Sequence, residues 1–233
     1  MRMNDNTILI TGGATGIGYS MAKHFYHHGN TVVICGRRDE RLTQAAESLP
    51  GIHTFKCDVS EADERNAFFQ YVKDNFPDVN ILVNNAGIQR DIDLTAGLSG
   101  LNCDEIQINL EAPVVLSAMF TPLLARKDNA AIVNISSGLA FTMHEHSAKI
   151  PLYCATKAGL HMFSVTLRIQ LYPLGIRVVE IIPPMVESEL NTEGRRKRNM
   201  LKTPYMMSAD EFVGKALAQM EQDEDEVRIV LER

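Results

Sequence analysis

Tyr153 and Lys157 stand four positions apart in "PLYCATKAGLHMFS" (residues 151–164), where a stretch with helical spacing begins. Residues i and i+4 of a helix share one face, so the ammonium would lie beside the phenol. Such a neighbour favours the phenolate and lowers a pKa that starts near ~10, which lets a tyrosine give and take a proton near neutrality. The plain alternative is a surface pair worth little. Six tyrosines and nine lysines in 233 residues produce this spacing by chance about 0.2 times, so context has to decide. The nearest context is "AIVNISSG". It leaves Ser136 and Ser137 at the end of an apolar run, where a hydroxyl could hydrogen-bond a substrate carbonyl or merely terminate the strand.

These groups need a scaffold. Short apolar runs, "TILIT", "TVVIC", "HTFKC", "NILVN", "AAIVNIS", "IRVVEII" and "VRIVL", read as about seven strands separated by amphipathic stretches. In "SEADERNAFFQYVKDNF" the spacing of Phe68, Phe69, Val72 and Phe76 marks a core-facing helix with Ser60 as its N-cap. Alternating strands and helices imply crossover connections and therefore a parallel sheet, and uniformly apolar strands imply helices on both faces. The expected fold is α/β: a single-domain Rossmann fold with a doubly wound parallel sheet. No repeat or linker divides residues 1–233, and the irregular segment at about 184–208 is long enough to form a substrate lid. Ligands of such sheets sit outside the carboxyl ends of the strands.

The first strand runs straight into "TGGATGIG", a GxxxGxG arrangement of Gly12, Gly16 and Gly18 ahead of a helix. Glycines there permit a tight turn, close approach of backbone to a pyrophosphate, and packing of the helix N-terminus on the sheet. At the end of the second strand, "VVICGRRDERL" has Gly36 where a carboxylate would hold a ribose 2'-hydroxyl, followed by Arg37 and Arg38. Guanidinium groups suit a 2'-phosphate, so NADP(H) is the preferred cofactor, with NAD(H) possible. A solvated arginine pair at a helix start is the alternative.

Composition narrows the partners. A net charge of −6 with pI ≈ 5.6 argues against nucleic acid, and the one basic cluster, Arg195 to Arg198, reads as a solvated run. Cys35, Cys57, Cys103 and Cys154 are scattered, which suggests neither a zinc site nor a disulfide framework and fits the reducing cytoplasm. The longest uncharged apolar stretch, "APVVLSAMF", is far below the roughly 18 residues of a membrane span, so no membrane partner is expected. His24, His27 and His28 read as a solvated helix end rather than metal ligands, and no metal site is expected. His144, His146 and Lys149 precede the tyrosine and read as loop surface. Cys154 reads as a packing residue, and Met185, Met200, Met206 and Met207 as an apolar substrate wall or ordinary core filling.

The ordered set "TGGATGIG", "CDV", "NNAG", Asn109 in "DEIQINLEAP", "NISSG" and "YCATK" resembles the short-chain dehydrogenase/reductase family over almost the whole chain. Locally, "NNAGIQR", "SSGLAF" and "YCATKAGLH" are similar to its DltE-like branch of oxidoreductases, whose substrates the resemblance does not fix. It implies a catalytic set of Asn109, Ser137, Tyr153 and Lys157. Tyr153 would exchange the proton at the substrate oxygen, Ser137 would orient that oxygen, and Lys157 would bind the nicotinamide ribose. Asn109 would hold a helix kink and a water relay. It also implies cofactor contacts from Ala14, Thr15 and Ile17 beside the glycines, from Asp58 and Val59 to adenine, from Asn85, Ala86 and Gly87 to the adenosine ribose, and from Ser188 to the carboxamide. Three features depart from the pattern. The serine-to-tyrosine spacing is about three residues longer, as an insertion in "FTMHEHSAKIPL" would explain, and Ser136 remains an alternative to Ser137. Pro184 replaces a common Pro-Gly turn. The chain stops after "VRIVLER", which leads to the expectation of a homodimer through the helices carrying Asn109 and Tyr153, with a tetramer possible. The expected activity is hydride exchange with a carbonyl or secondary alcohol. The rival readings are a dinucleotide-binding regulator without turnover, and a dehydratase or epimerase using the cofactor transiently.

Overall fold

In the computed structural model, residues 1–98, 101–143, 145–190, 192 and 206–230 are described. The apolar runs form seven strands: β1 (Thr7–Thr11), β2 (Thr31–Gly36), β3 (His53–Lys56), β4 (Ile81–Asn84), β5 (Ala131–Ile135), β6 (Arg177–Ile182) and β7 (Glu226–Arg228). They pair in the order β3-β2-β1-β4-β5-β6-β7, every neighbouring pair parallel. The direction of progression reverses between β1 and β4, which opens a crevice at their carboxyl ends. β7 is the shortest strand and begins one residue before the "VRIVL" run.

Among the described residues six helices cover the sheet: α1 (Gly16–His27), α2 (Asp39–Ser48), α3 (Ala62–Asn75), α4 (Asp104–Leu124), α5 (Pro151–Leu171) and α6 (Ala209–Glu221). Side chains alternate across each strand, so Ile8 and Ile10 join Phe25, Leu42 and Phe212 beneath α1, α2 and α6, while Leu9 joins Phe68, Leu116 and Phe120 beneath α3, α4 and α5. Burying each such side chain contributes about 1.5–3 kcal/mol, which is why a continuous apolar strand selects this two-faced arrangement.

Two local expectations need correction. Ser60 does not cap α3: its backbone N–H and hydroxyl both donate to Asp58 Oδ1, at 3.0 and 2.7 Å, and Glu61 takes the N-cap position without a side-chain bond. A carboxylate two residues back outcompetes the helix end for the hydroxyl. On α3 itself Phe68 and Val72 are fully buried, whereas Phe69 and Phe76 lie half-buried at the margin. The apolar stretch at "APVVLSAMF" is also part of something longer. α4 spans 21 residues, and its most apolar 18-residue window has a mean hydropathy of 1.2, which makes it long and apolar enough by length and composition to cross a membrane. Here it packs on the sheet through Leu116, Phe120 and Leu124.

A polar row crosses the sheet from β4 to β7. Asn84, Asn134, Glu180 and Glu226 are register partners in β4 through β7. Asn84 donates to Asn134 Oδ1 at 2.8 Å, and Asn134 donates to Ser164 Oγ of α5 at 2.9 Å.

Candidate active site

The glycine turn is held from beneath. Thr11 Oγ1 accepts the backbone N–H groups of Asn85 and Ala86, each at 3.0 Å, and donates to Val83 O. Asn85 Nδ2 donates to the carbonyls of Thr11 and Gly12 at 2.9 and 3.1 Å. Gly12 has φ +64°, and a Cβ there would meet Ala86 Cα at 2.9 Å, so only glycine fits. A Cβ on Gly18 would lie 2.4 Å from Gly12 O, which makes Gly18 the residue that lets α1 approach the sheet. α1 then begins at Gly16 with no acidic residue in its first turn, leaving its N-terminal N–H groups and positive dipole end to an anion.

From this turn a cleft of ≈ 890 Å³ runs along the carboxyl edge of the sheet. That volume is at the upper end of small-molecule sites. Gly12, Ala14, Thr15, Gly16 and Ile17 line it, as do Arg37, Arg38, Asp58, Val59, Asn85, Ala86, Gly87, Ser188, Ser137, Tyr153 and Lys157. Gly18 and Asn109 stand behind the wall, not on it. Gly18 shapes the turn, and Asn109 is fully buried.

Pro151 occupies the first turn of α5, so Tyr153 and Lys157 leave the helix just above the sheet edge. Both are buried, at 7% and 4% exposure, which removes the surface-pair reading. Lys157 Nζ lies 5.8 Å from the Tyr153 ring centroid and donates to Ile135 O at 2.7 Å. Burial pulls its ammonium down to about 8, while the Glu180 carboxylate acts the other way. Glu180 is itself fully buried and holds His161 Nδ1 at 2.7 Å; His161 is one helical turn beyond Lys157. Glu226 lies close enough to make a trio of metal-type ligands within 4.8 Å. The direct His161–Glu180 bond is shorter than the roughly 3.3 Å that tetrahedral ligands at ~2 Å from a metal keep from one another. Arg228 bonds Glu226 and stacks on Phe141, whose ring meets His161.

The two serines differ. Both line the cleft, but Ser136 Oγ lies 3.5 Å from Ile181 O, whereas Ser137 Oγ accepts the Leu139 N–H at 3.2 Å. Asn109 sits in a π-helical segment, Gln107–Glu111, that interrupts α4. Its amide accepts the Ile88 N–H and donates to Ile88 O, both at 2.8 Å, and also donates to Thr156 at 3.2 Å. Gly87 packs between Asn109 and Lys157: a Cβ there would come within 3.4 Å of Asn109 Oδ1 and 3.8 Å of Lys157 Nζ.

At the far end of the cleft Arg37 faces Asp58 at 3.5 Å. Burial works against the Asp58 carboxylate, but bonds from Ser60 and the Arg37 charge outweigh it and hold its pKa below the usual range. Arg38 and Arg41 both reach Glu189. Sequence reading did not single out Thr11, Arg41, Glu180 or Glu189. Glycine spacing says nothing of the hydroxyl beneath the turn, and the arginine contacts to Glu189 join residues about 150 positions apart. Of the expected methionine wall, Met185 lines the cleft, Met207 is buried in the core, and Met200 lies outside the described residues, as do His144 and the Arg195–Arg198 cluster. Backbone bonds between Met207 and residues 185 and 187 tie the two ends of the 184–208 segment together. His24 and His28 stack on each other at the end of α1.

A doubly wound sheet whose switch-point cleft joins an anion-accepting glycine turn to a buried Tyr–Lys pair defines an NAD(P)-dependent oxidoreductase domain. The chain belongs to the short chain dehydrogenase family, whose sequence profile matches residues 6–199. It is 45% identical over 229 residues to "Uncharacterized oxidoreductase DltE" of Bacillus subtilis (strain 168), covering 97% of this chain and 89% of that protein. A short-chain dehydrogenase from Sphingobium yanoikuyae, solved in complex with NADPH, matches with a TM-score of 0.83 at 26% identity, over 98% of this chain and 89% of that one. A short chain dehydrogenase/reductase from Burkholderia phymatum, solved in complex with NAD, shares the fold with a TM-score of 0.85 at 16% identity, over 98% and 90%.

Proposed function

We propose that this chain interconverts a carbonyl compound and a secondary alcohol, with NADP(H) as preferred dinucleotide and Tyr153 as general acid and base. The observation that carries the reading is that Tyr153, Lys157 and Ser137 share one cleft with the glycine turn. The residues fit a dinucleotide. The Gly12 turn admits no side chain, the α1 N-terminus is free of carboxylates, and Arg37, Arg38 and Arg41 line the end where a 2'-phosphate would lie. When bound, the nicotinamide supplies or accepts the hydride.

In reduction Tyr153 donates its phenolic proton to the substrate oxygen, and in oxidation it removes one. The buried Lys157 ammonium favours the phenolate, since charge interactions are weakly screened there. Ser137 donates to the substrate oxygen and orients it. Asn109 is a positioning residue: it fixes Ile88 and the α4 interruption beside Gly87 and Lys157. The segment 184–208 serves as a lid, with Met185 toward an apolar substrate. The protein works as a homodimer in a reducing compartment such as the cytoplasm, in keeping with its four free cysteines.

The test is nicotinamide absorbance across a panel of ketones, aldehydes and secondary alcohols, wild type beside Tyr153→Phe. Wild type is expected to turn over at least one compound. The variant is expected to lose about 10²–10⁴-fold in kcat while retaining NADPH affinity. Turnover equal to wild type in the variant overturns the assignment.

A further inference from the structure

Arg38 and Arg41 converge on one carboxylate. Arg38 Nη1 donates to Glu189 Oε2 at 2.7 Å and Arg41 Nη2 to Glu189 Oε1 at 2.5 Å, so each oxygen takes one guanidinium. Glu189 belongs to neither β2 nor α2. It follows Ser188, whose Cβ lies 3.3 Å from where a Cβ on Gly16 would stand, and it comes shortly after the Val186–Met207 bridge. Residues 186–190 thus cross the mouth of the cleft from the sheet edge to the start of α2, and the Glu189 pairs fasten them there. All three side chains are 41–57% exposed. Ion pairs so placed are screened and weak, which makes the fastening easy to exchange for a better anion. Two guanidiniums on one carboxylate also leave an excess positive charge, which a phosphate near its second ionisation neutralises more fully.

We infer that Glu189 is a specificity-determining residue: a tethered anion that holds Arg38 and Arg41 in place of a 2'-phosphate and must be displaced when NADP(H) binds. NAD(H) leaves the clamp intact, and the strap stays fastened. Glu189 therefore lowers the preference for the phosphorylated dinucleotide and links the identity of the cofactor to the position of the strap over the site. This rests on the NADP(H) reading above.

The experiment measures binding, not turnover. Dissociation constants for NADPH, NADH and adenosine 2'-monophosphate are determined by calorimetry for wild type, Glu189→Gln, Glu189→Ala and Arg38→Ala/Arg41→Ala, each checked for an unchanged thermal midpoint. Both Glu189 variants are expected to bind NADPH and adenosine 2'-monophosphate about 3–10-fold more tightly, with NADH within about twofold of wild type. The alanine variant excludes a new bond from the glutamine amide as the cause. In the Arg38→Ala/Arg41→Ala background the same substitutions should change nothing. If the double arginine variant weakens NADPH but the Glu189 variants bind it no more tightly than wild type does, this inference fails and the NADP(H) reading stands. If the double arginine variant binds NADPH as wild type does, the NADP(H) reading fails and takes the inference with it.

Discussion

Burying an amine costs its charged form most of its hydration, and Lys157 accepts that cost 5.8 Å from the Tyr153 ring centroid. The Lys157 pKa of about 8 has two consequences. The kcat/KM profile reports groups of the free enzyme, so its alkaline limb should fall as pH rises through about 8, where the ammonium is lost. A limb no lower than an ordinary lysine would exclude Lys157 as the controlling group. The stability linkage runs the other way. The folded value lies below the unfolded value of 10.5, so between about 8 and 10.5 the unfolded chain holds more protons and this residue's contribution to stability rises with pH. Lys157→Met should therefore be inactive yet more stable than wild type at pH 7, by about 1–3 kcal/mol, with the difference shrinking toward pH 10.5. Denaturation midpoints at the two pH values would show it. The two serines separate on the same scale. Ser137→Ala should lose about 10²-fold in kcat, whereas Ser136→Ala, whose hydroxyl is turned to Ile181 O, should stay within several-fold.

At the scale of elements, the active edge is stiffened by bonds that cross between secondary structures. Within the π-helical interruption of α4, Asn109 satisfies both backbone groups of Ile88. Asn109→Ala would leave those groups unpaired in a half-buried site and should destabilise the protein by about 2–4 kcal/mol in denaturant titration. β6 makes a second connection, through Glu180. Glu180→Gln removes a carboxylate that favours the Lys157 ammonium, so the alkaline limb should move to lower pH; a limb left in place would mean the two charges are not coupled. Strands and helices were legible in the sequence because a parallel sheet covered on both faces needs uniformly apolar runs, and the glycine turn because only glycine tolerates its backbone. The Ser60 cap was misread because Asp58, two residues away, offered a nearer acceptor. The π segment, the Thr11 support and the Glu189 clamp left no periodic signal. Each depends on a partner that only the folded chain brings near.

The whole molecule leaves apolar surface uncovered where its most apolar helix lies. Only 39% of the most apolar window of α4 is buried, and α5, packed beside it, turns Met162 and Ile169 outward at 57% and 74% exposure, with Tyr172 just past its end at 82%. These three recur at helical spacing, opposite the buried face formed by Tyr153, Lys157, Leu160, Ser164 and Leu167. Large apolar side chains exposed along one helix face are costly in water and are relieved by association. Pairing the same two helices from a second copy about a two-fold axis would cover it without leaving an open edge for further growth. The purified protein should therefore run in light scattering near twice its 26.0 kDa mass. Met162→Glu/Ile169→Glu, which places charges on this face and touches neither the cleft nor the core, should shift it to monomer at micromolar concentration. Because α5 carries Tyr153 and Lys157, loss of the partner should lower kcat more than dinucleotide affinity, most of which comes from the opposite half of the sheet. A wild-type monomer at ~10 μM, well above the dissociation constants of ordinary stable complexes, would show that the face is covered by something other than a second copy.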